Sequence, residues 1–291
     1  MSTTPIGYRL PLGTWIEAAV DWVTDAFGVL FDVIRAVLVA AFDAAEAALT
    51  SPPWWVVVIA LGGLAVWAKG WRLGAGATVG FLSVLAVDQW DNAMATLALV
   101  LVASLIALAI GIPLGVWAAR NDRVSATVRP VLDFMQTMPA FVYLIPVVVI
   151  FRAGVVPGLV ATIIFALAPG VRFTELGIRQ VDREVVEAGH AFGAPPGRIL
   201  RQIQMPLAMP TIMAGINQVI MLSLSMVVIS GLAGTRGLGR EVVSALSTID
   251  IALGFEAGLA VVILAIYLDR ITSALASRSP VARALQTTAA R

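Results

Sequence analysis

The 291-residue chain contains no cysteine, so neither a disulfide nor a thiolate metal site is open to it, and the redox compartment leaves no mark on it. It has a single histidine, His190, with no second histidine or cysteine to join it in a metal centre or a catalytic pair. His190 is therefore read as a surface or docking residue. Charged residues make up only 13%, where soluble domains carry about 25%. A formal net charge of +1 provides no bulk field for nucleic acid. Among 19 basic residues only Lys69 is a lysine, a composition bias to which we attach no function. No G-x4-G-K-[ST] run occurs, and no glycine-rich turn follows a strand-like segment, so any nucleotide is hydrolysed by another polypeptide. The N-terminus has no basic patch running directly into a short apolar core, so no cleavable signal peptide is expected.

What the chain has in abundance is apolar surface: 59% of residues are hydrophobic. The solvent for most of it is lipid. Residues 14–49 are apolar but interrupted by Glu17, Asp21, Asp25, Asp32, Arg35, Asp43 and Glu46. At 100° per residue these seven fall within an arc of about 80°. A charged stripe along a helix roughly 50 Å long excludes a membrane span. The helix lies along the interface or, as its mainly acidic stripe favours, packs externally against protein. Ser51-Pro52-Pro53 ends it. Seven apolar segments follow, near 54–68, 71–87, 93–119, 132–151, 155–171, 211–233 and 251–268. The first two are short for the ~20 residues of a straight span and form a hairpin with Lys69-Gly70-Trp71-Arg72 at its tip. The expected architecture is an all-α polytopic membrane protein with about seven spans. It divides into an amphipathic extension (1–53), an accessory hairpin (54–87), a core (88–275) with a loop at 172–210, and a tail (276–291).

Orientation follows from basic residues. Placing 69–72, 120–131, 172–210 and 269–291 on the cytoplasmic side gathers 14 of the 19 there. Arg9, Arg35, Arg152, Arg236 and Arg240 remain outside. The N-terminus is then external and the C-terminus cytoplasmic. Pro113, Pro139, Pro146 and Pro169 each remove a backbone donor and bend a span, by way of a pathway or of ordinary packing. Gly111-x3-Gly115 is a close-packing pattern. The centres of the expected spans hold no charge, and Glu256 near the start of the last is read as a helix-end residue. Proton- and sodium-coupled carriers need buried carboxylates or broken-helix sites, which speaks against that class.

The loop at 172–210 is the most informative stretch. Glu187-Ala188-Gly189-His190-Ala191-Phe192-Gly193 is followed, after nine residues, by Ile203-Gln204-Met205-Pro206. Val185 to Phe192 is expected to form a short helix that Gly193 ends in the left-handed conformation. Pro195-Pro196-Gly197 then turns, Arg198 to Met205 forms a second helix, and Pro206 and Pro210 redirect the chain into the next span. Glu187 is available to cap the first helix or pair with Arg183 or Arg198.

This spacing resembles the E-A-A-x3-G-x9-I-x-L-P loop of ATP-binding-cassette (ABC) importer permeases, with Gly189 for the second alanine and Met205 for the leucine. Residues 136–146, 205–229 and 237–242 resemble more closely the permeases for glycine betaine and proline betaine. The resemblance covers about 85–275 and implies a type I importer permease in a bacterial inner membrane, with no enzyme activity or bound cofactor of its own. It implies cytoplasmic ATPase subunits carrying ATP and magnesium, docked on Glu187, Ala188, Gly189, Ala191, Phe192, Gly193, Ile203, Met205 and Pro206. It also implies a second, identical permease subunit, a separate extracytoplasmic substrate-binding protein and contact with membrane lipid. Candidate pathway residues are Gln136, Thr137, Phe141, Tyr143, Asn217, Gln218, Ser223 and Ser225. The rival readings are a permease for another solute, such as the amino acid methionine, a secondary carrier and a membrane scaffold.

Overall fold

A computed structural model describes residues 10–277, and the remainder of the expected cytoplasmic tail lies outside the described residues. Described secondary structure is helical throughout. The single helix expected over 14–49 is two helices, α1 (Leu12–Ala26) and α2 (Gly28–Thr50). The break falls at Phe27, at φ −115° and ψ 18°, next to Gly28; glycine is a poor helix former. α1 buries no side chain, whereas α2 seats Leu38 and Phe42 in the main core.

α3 (Trp54–Lys69) and α4 (Trp71–Ala86) form a hairpin turned at Gly70, where φ is 96°. Each has 16 residues, about 24 Å of helix against a hydrocarbon core of about 30 Å. The hairpin is not a separate body. Phe81 lies edge-on to Tyr267 at 5.0 Å between ring centroids, and the Tyr267 hydroxyl donates to Leu61 O at 3.0 Å.

α5 (Trp90–Arg120) crosses as one helix despite Pro113. The next expected span, 132–151, does not form as drawn. α6 (Asp122–Thr137) and α7 (Ala140–Phe151) meet at 95°. Met138 precedes a proline and is extended, at φ −73° and ψ 130°, because the proline ring crowds a helical residue before it. α6 buries only Ser125 and Leu132, so it lies on the surface rather than deep in the bundle.

α8 (Val155–Arg179) runs eight residues beyond the expected end at 171, so the loop drawn from 172 begins inside a helix. α9 (Arg183–Ala191) and α10 (Pro196–Ile199) follow. A π turn, Leu200–Gln204, leads directly into α11 (Met205–Ser225). Pro206 and Pro210 therefore do not redirect the chain. Pro206 follows the π turn directly and Pro210 lies inside α11, both in continuous helix. α12 (Val227–Leu232), α13 (Leu238–Thr248) and α14 (Ile251–Ser277) complete the described chain. Among the described residues four helical runs are long and apolar enough to cross a membrane: α5, α8, Pro196–Leu232 and α14. The bent α6–α7 pair makes a fifth if counted as one span, and α3 and α4 are shorter apolar helices.

Glycine sets how closely the long helices approach. A Cβ on Gly111 would sit 3.4 Å from Gly170 Cα, and one on Gly115 would sit 2.6 Å from Val171 O. The Gly111-x3-Gly115 pattern is thus the face of α5 that receives α8. On the other flank of α8, a Cβ on Gly177 would meet Ala208 O at 3.2 Å, and one on Gly215 would meet the Phe173 side chain at 2.5 Å. In lipid, where helices gain little from hiding apolar surface from each other, such backbone proximity supplies much of the packing energy. The result is a layered centre with α8 between α5 and α11.

Candidate functional site

The connection between α8 and α11 is a compact hairpin with an apolar tip. The Asp182 side chain accepts from Glu184 N–H at 2.9 Å and caps α9, a role open to Glu187 from sequence. Glu187 is exposed and forms no ion pair among the described residues. Gly193 ends the helix at φ 74°, donating to His190 O at 2.9 Å, while Ala194 N–H donates to Gly189 O at 3.1 Å. This left-handed stop turns the chain sharply and leaves Phe192 projecting, 91% exposed. Ala188, His190 and Ala191 are also exposed.

The far side of α9 faces the return limb. A Cβ on Gly189 would lie 2.9 Å from Ile203 Cδ1 and 3.4 Å from Ile199 Cγ1. Glycine at the position where the loop pattern has alanine thus lets α9 close onto two isoleucines, one of them, Ile199, fully buried. Met205 and Leu200 pack against a cluster of Ile178, Ala208 and Ile212, which joins the ends of α8 and α11. Met205 N–H donates to Leu200 O, the five-residue bond of the π turn. Pro206 is exposed beyond it. The hairpin is therefore fixed at its base and apolar at its tip, as suits seating in a groove.

Directly above it lies a charged junction that the sequence reading placed in a loop. Glu175, on the last turns of α8, is almost fully buried. Its Oε1 accepts from Ser125 Oγ at 2.7 Å and Arg129 Nη2 at 2.8 Å, both on α6, and pairs with Arg179 Nε at 3.0 Å. Arg179 Nη2 also reaches Ala118 O at 2.8 Å and Asp122 Oδ1 at 2.8 Å. Arg172 and Asp133 pair nearby. One carboxylate thus ties α6 to α8, and Arg179 ties both to the end of α5, four residues before α9 begins. The available signal was the Glu175/Arg179 spacing of four, which marks a continuing helix face. It was lost when the span was ended at 171.

The candidate pathway residues separate into two groups. Ser223 is buried and accepts from Ser104 Oγ at 3.0 Å, linking α11 to α5. Asn217 Nδ2 donates to Asp269 Oδ1 at 3.1 Å and its Oδ1 accepts from Thr272, linking α11 to α14. Tyr143 is buried with Met226 and Ala140, and its hydroxyl has no partner among the described residues. Thr137, Phe141, Gln218 and Ser225 are exposed and Gln136 half-buried. Thr137 and Ser225 spend their hydroxyls on their own helices, at Phe134 O and Met221 O.

Residues 111–279 match the family described as the binding-protein-dependent transport system inner membrane component. The chain is 48% identical over 269 residues to the glycine betaine/carnitine transport permease protein GbuB of Listeria monocytogenes serotype 1/2a, covering 91% of this chain and 95% of that one. It is 44% identical over 266 residues to the glycine betaine/proline betaine transport system permease protein ProW of Escherichia coli K12, covering 91% and 75%. In fold it resembles the inward-facing MetNI methionine ABC transporter in its native crystal form, with a TM-score of 0.59 at 20% identity over 65% of this chain and 94% of that one. At that identity the likeness concerns the fold, which is that of a type I ABC importer permease.

Proposed function

Since the chain belongs to the family of binding-protein-dependent transport system inner membrane components, we propose that it is the membrane permease of an ATP-driven importer for glycine betaine and proline betaine. The observation that carries this is the α9 hairpin, an exposed aromatic on a rigid stem at one end of the bundle. ATP and magnesium belong to separate ATPase subunits that grip the hairpin around Phe192. A second, identical permease completes the pathway, and a separate extracytoplasmic binding protein delivers the solute. The hairpin side is cytoplasmic, where most of the arginines gather, and the N-terminus is outside.

Closure of the ATPase pair on ATP displaces α9. The displacement passes along α11 through the unbroken π turn, and into α8 through the cluster of Ile178, Ala208 and Ile212. Alternating access then follows from two discrete packings of these helices. Phe141 and Gln218, with their side chains turned out of this subunit, face the pathway, and the aromatic ring suits a quaternary ammonium. Reconstitution with the ATPase and binding protein tests the reading. Labelled glycine betaine should accumulate only with ATP, and a protonophore should not abolish uptake. Uptake of methionine instead, or uptake that collapses with the proton gradient, would overturn it.

A further inference from the structure

Three of the five basic residues that charge counting leaves outside converge on one cleft of about 260 Å³. Arg35 comes from α2, Arg152 from the α7–α8 connection and Arg236 from the loop before α13. The cleft lies at the start of α8, a helix of 25 residues, so it is about 37 Å along that helix from the end leading to the α9 hairpin.

The walls are fixed. Gly154 N–H donates to Ala233 O at 2.9 Å, and Thr235 Oγ1 donates to Gly154 O at 3.2 Å, stapling one loop to the other. Phe31 of α2 lies edge-on to Phe151, 5.6 Å between centroids. Arg236 lies 3.7 Å from Glu46, so its charge is countered. Arg35 and Arg152 have neither an ion pair nor a side-chain hydrogen bond among the described residues. Asp43 is the one carboxylate in the lining, and Glu46 lies outside it. Arg35 is half-buried, an uncompensated position for a guanidinium. Arg152 holds φ 63° and ψ 164°, a backbone region otherwise left to glycine, and Gly154 and Gly234 beside it also have positive φ. A strained arginine held at the lip of a braced cleft, with a second arginine unpaired inside, is a receptor for an anion.

We infer that the cleft is a socket for a carboxylate side chain of the extracytoplasmic binding protein, received by Arg35 and Arg152. Their planar donors match a carboxylate in two-point geometry. Asp43 in the lining and Glu46 beside Arg236, both on α2, repel a misplaced acid of the partner, which gives the contact a register as well as an attraction. The inference rests on the importer reading and its orientation.

The test uses the permease–ATPase complex in liposomes and titrates solute-loaded binding protein against ATP hydrolysis. Arg35→Gln with Arg152→Gln should raise the half-saturating binding-protein concentration about tenfold, with the maximal rate unchanged. The wild-type value should climb steeply with salt and that of the double variant only weakly. Arg240→Gln, outside the cleft, should change neither. Arg152→Gly should weaken docking while raising the unfolding temperature, because it removes the charge and relieves the backbone. Unchanged half-saturation in the double variant would overturn the socket, as would a lower maximum at constant half-saturation, or a shift only in the solute needed to load the system. Orientation is checked separately. Arg152→Cys supplies the only thiol in the chain, and an impermeant maleimide should label it from outside. Labelling from inside alone would overturn the orientation and the socket with it, whereas outside labelling with unchanged titration would overturn the socket alone.

Discussion

Removing the charge of Glu175 tests whether the junction above the α9 hairpin transmits its motion. One oxygen of this carboxylate holds Ser125 at 2.7 Å, Arg129 at 2.8 Å and Arg179 at 3.0 Å. Glu175→Gln keeps the size and one acceptor but turns two charge-assisted bonds into neutral-acceptor bonds, a loss of about 1 kcal/mol each before screening. Both arginines are partly exposed, with side-chain accessibilities of 59% and 33%, so solvent reduces this to about 1 kcal/mol in total. Glu175→Ala also strands the buried Ser125 hydroxyl and leaves both guanidiniums without their acceptor, for about 3 kcal/mol. About 1.4 kcal/mol changes an equilibrium tenfold, so even the glutamine variant should populate a state with α6 untied from α8. The assay is paired: thermal unfolding of the permease–ATPase complex, and ATP hydrolysed per solute imported. Glu175→Gln should unfold only slightly earlier yet hydrolyse several times more ATP per solute, and Glu175→Ala should show both effects more strongly. An alanine variant that unfolds and couples like the wild type would refute the argument.

Phe192→Ser should leave the unfolding temperature within the effect of about 0.5 kcal/mol, because the ring touches solvent, while ATPase association measured by co-purification is lost. Gly193→Val should cost about 1–2 kcal/mol locally through the left-handed backbone at φ 74°, seen as faster proteolysis within 183–197. Gly115→Leu should cost about 3 kcal/mol or more, since its Cβ would lie 2.6 Å from a backbone oxygen that cannot swing aside; the readout is the yield of folded protein from the membrane. Arg152→Gly should stabilise the fold by about 1 kcal/mol in chemical denaturation.

The apolar segments and the α9 hairpin were legible because each depends on local rules. Gly193 stops a helix, Pro195 and Pro196 enforce a turn, and long apolar runs need lipid. The misread features depend on partners distant in the chain. Glu175 reads as a loop charge until Ser125 and Arg129, 50 and 46 residues earlier, are brought beside it. For the pathway candidates Asn217 and Ser223, nothing near them in sequence announces the bonds to Asp269 and Ser104. The break at Phe27 and the 95° turn at Met138 were obscured by apolar composition that continues across both. At these two breaks hydropathy reported the environment correctly and the direction of the chain wrongly.

The two limbs of the hairpin differ in how they treat an added residue. From Pro196 through Ser225 the backbone is helical without interruption, so every side chain inherits its angular phase from the ones before it. One residue inserted near Leu207 would rotate Ile203 about 100° relative to Asn217, detaching either the grip on Gly189 or the bond to Asp269. The same insertion between Arg179 and Arg183 falls in non-helical chain, where it is absorbed as slack. The hairpin thus has one limb whose length is free to drift and one whose length is locked to the turn of a screw.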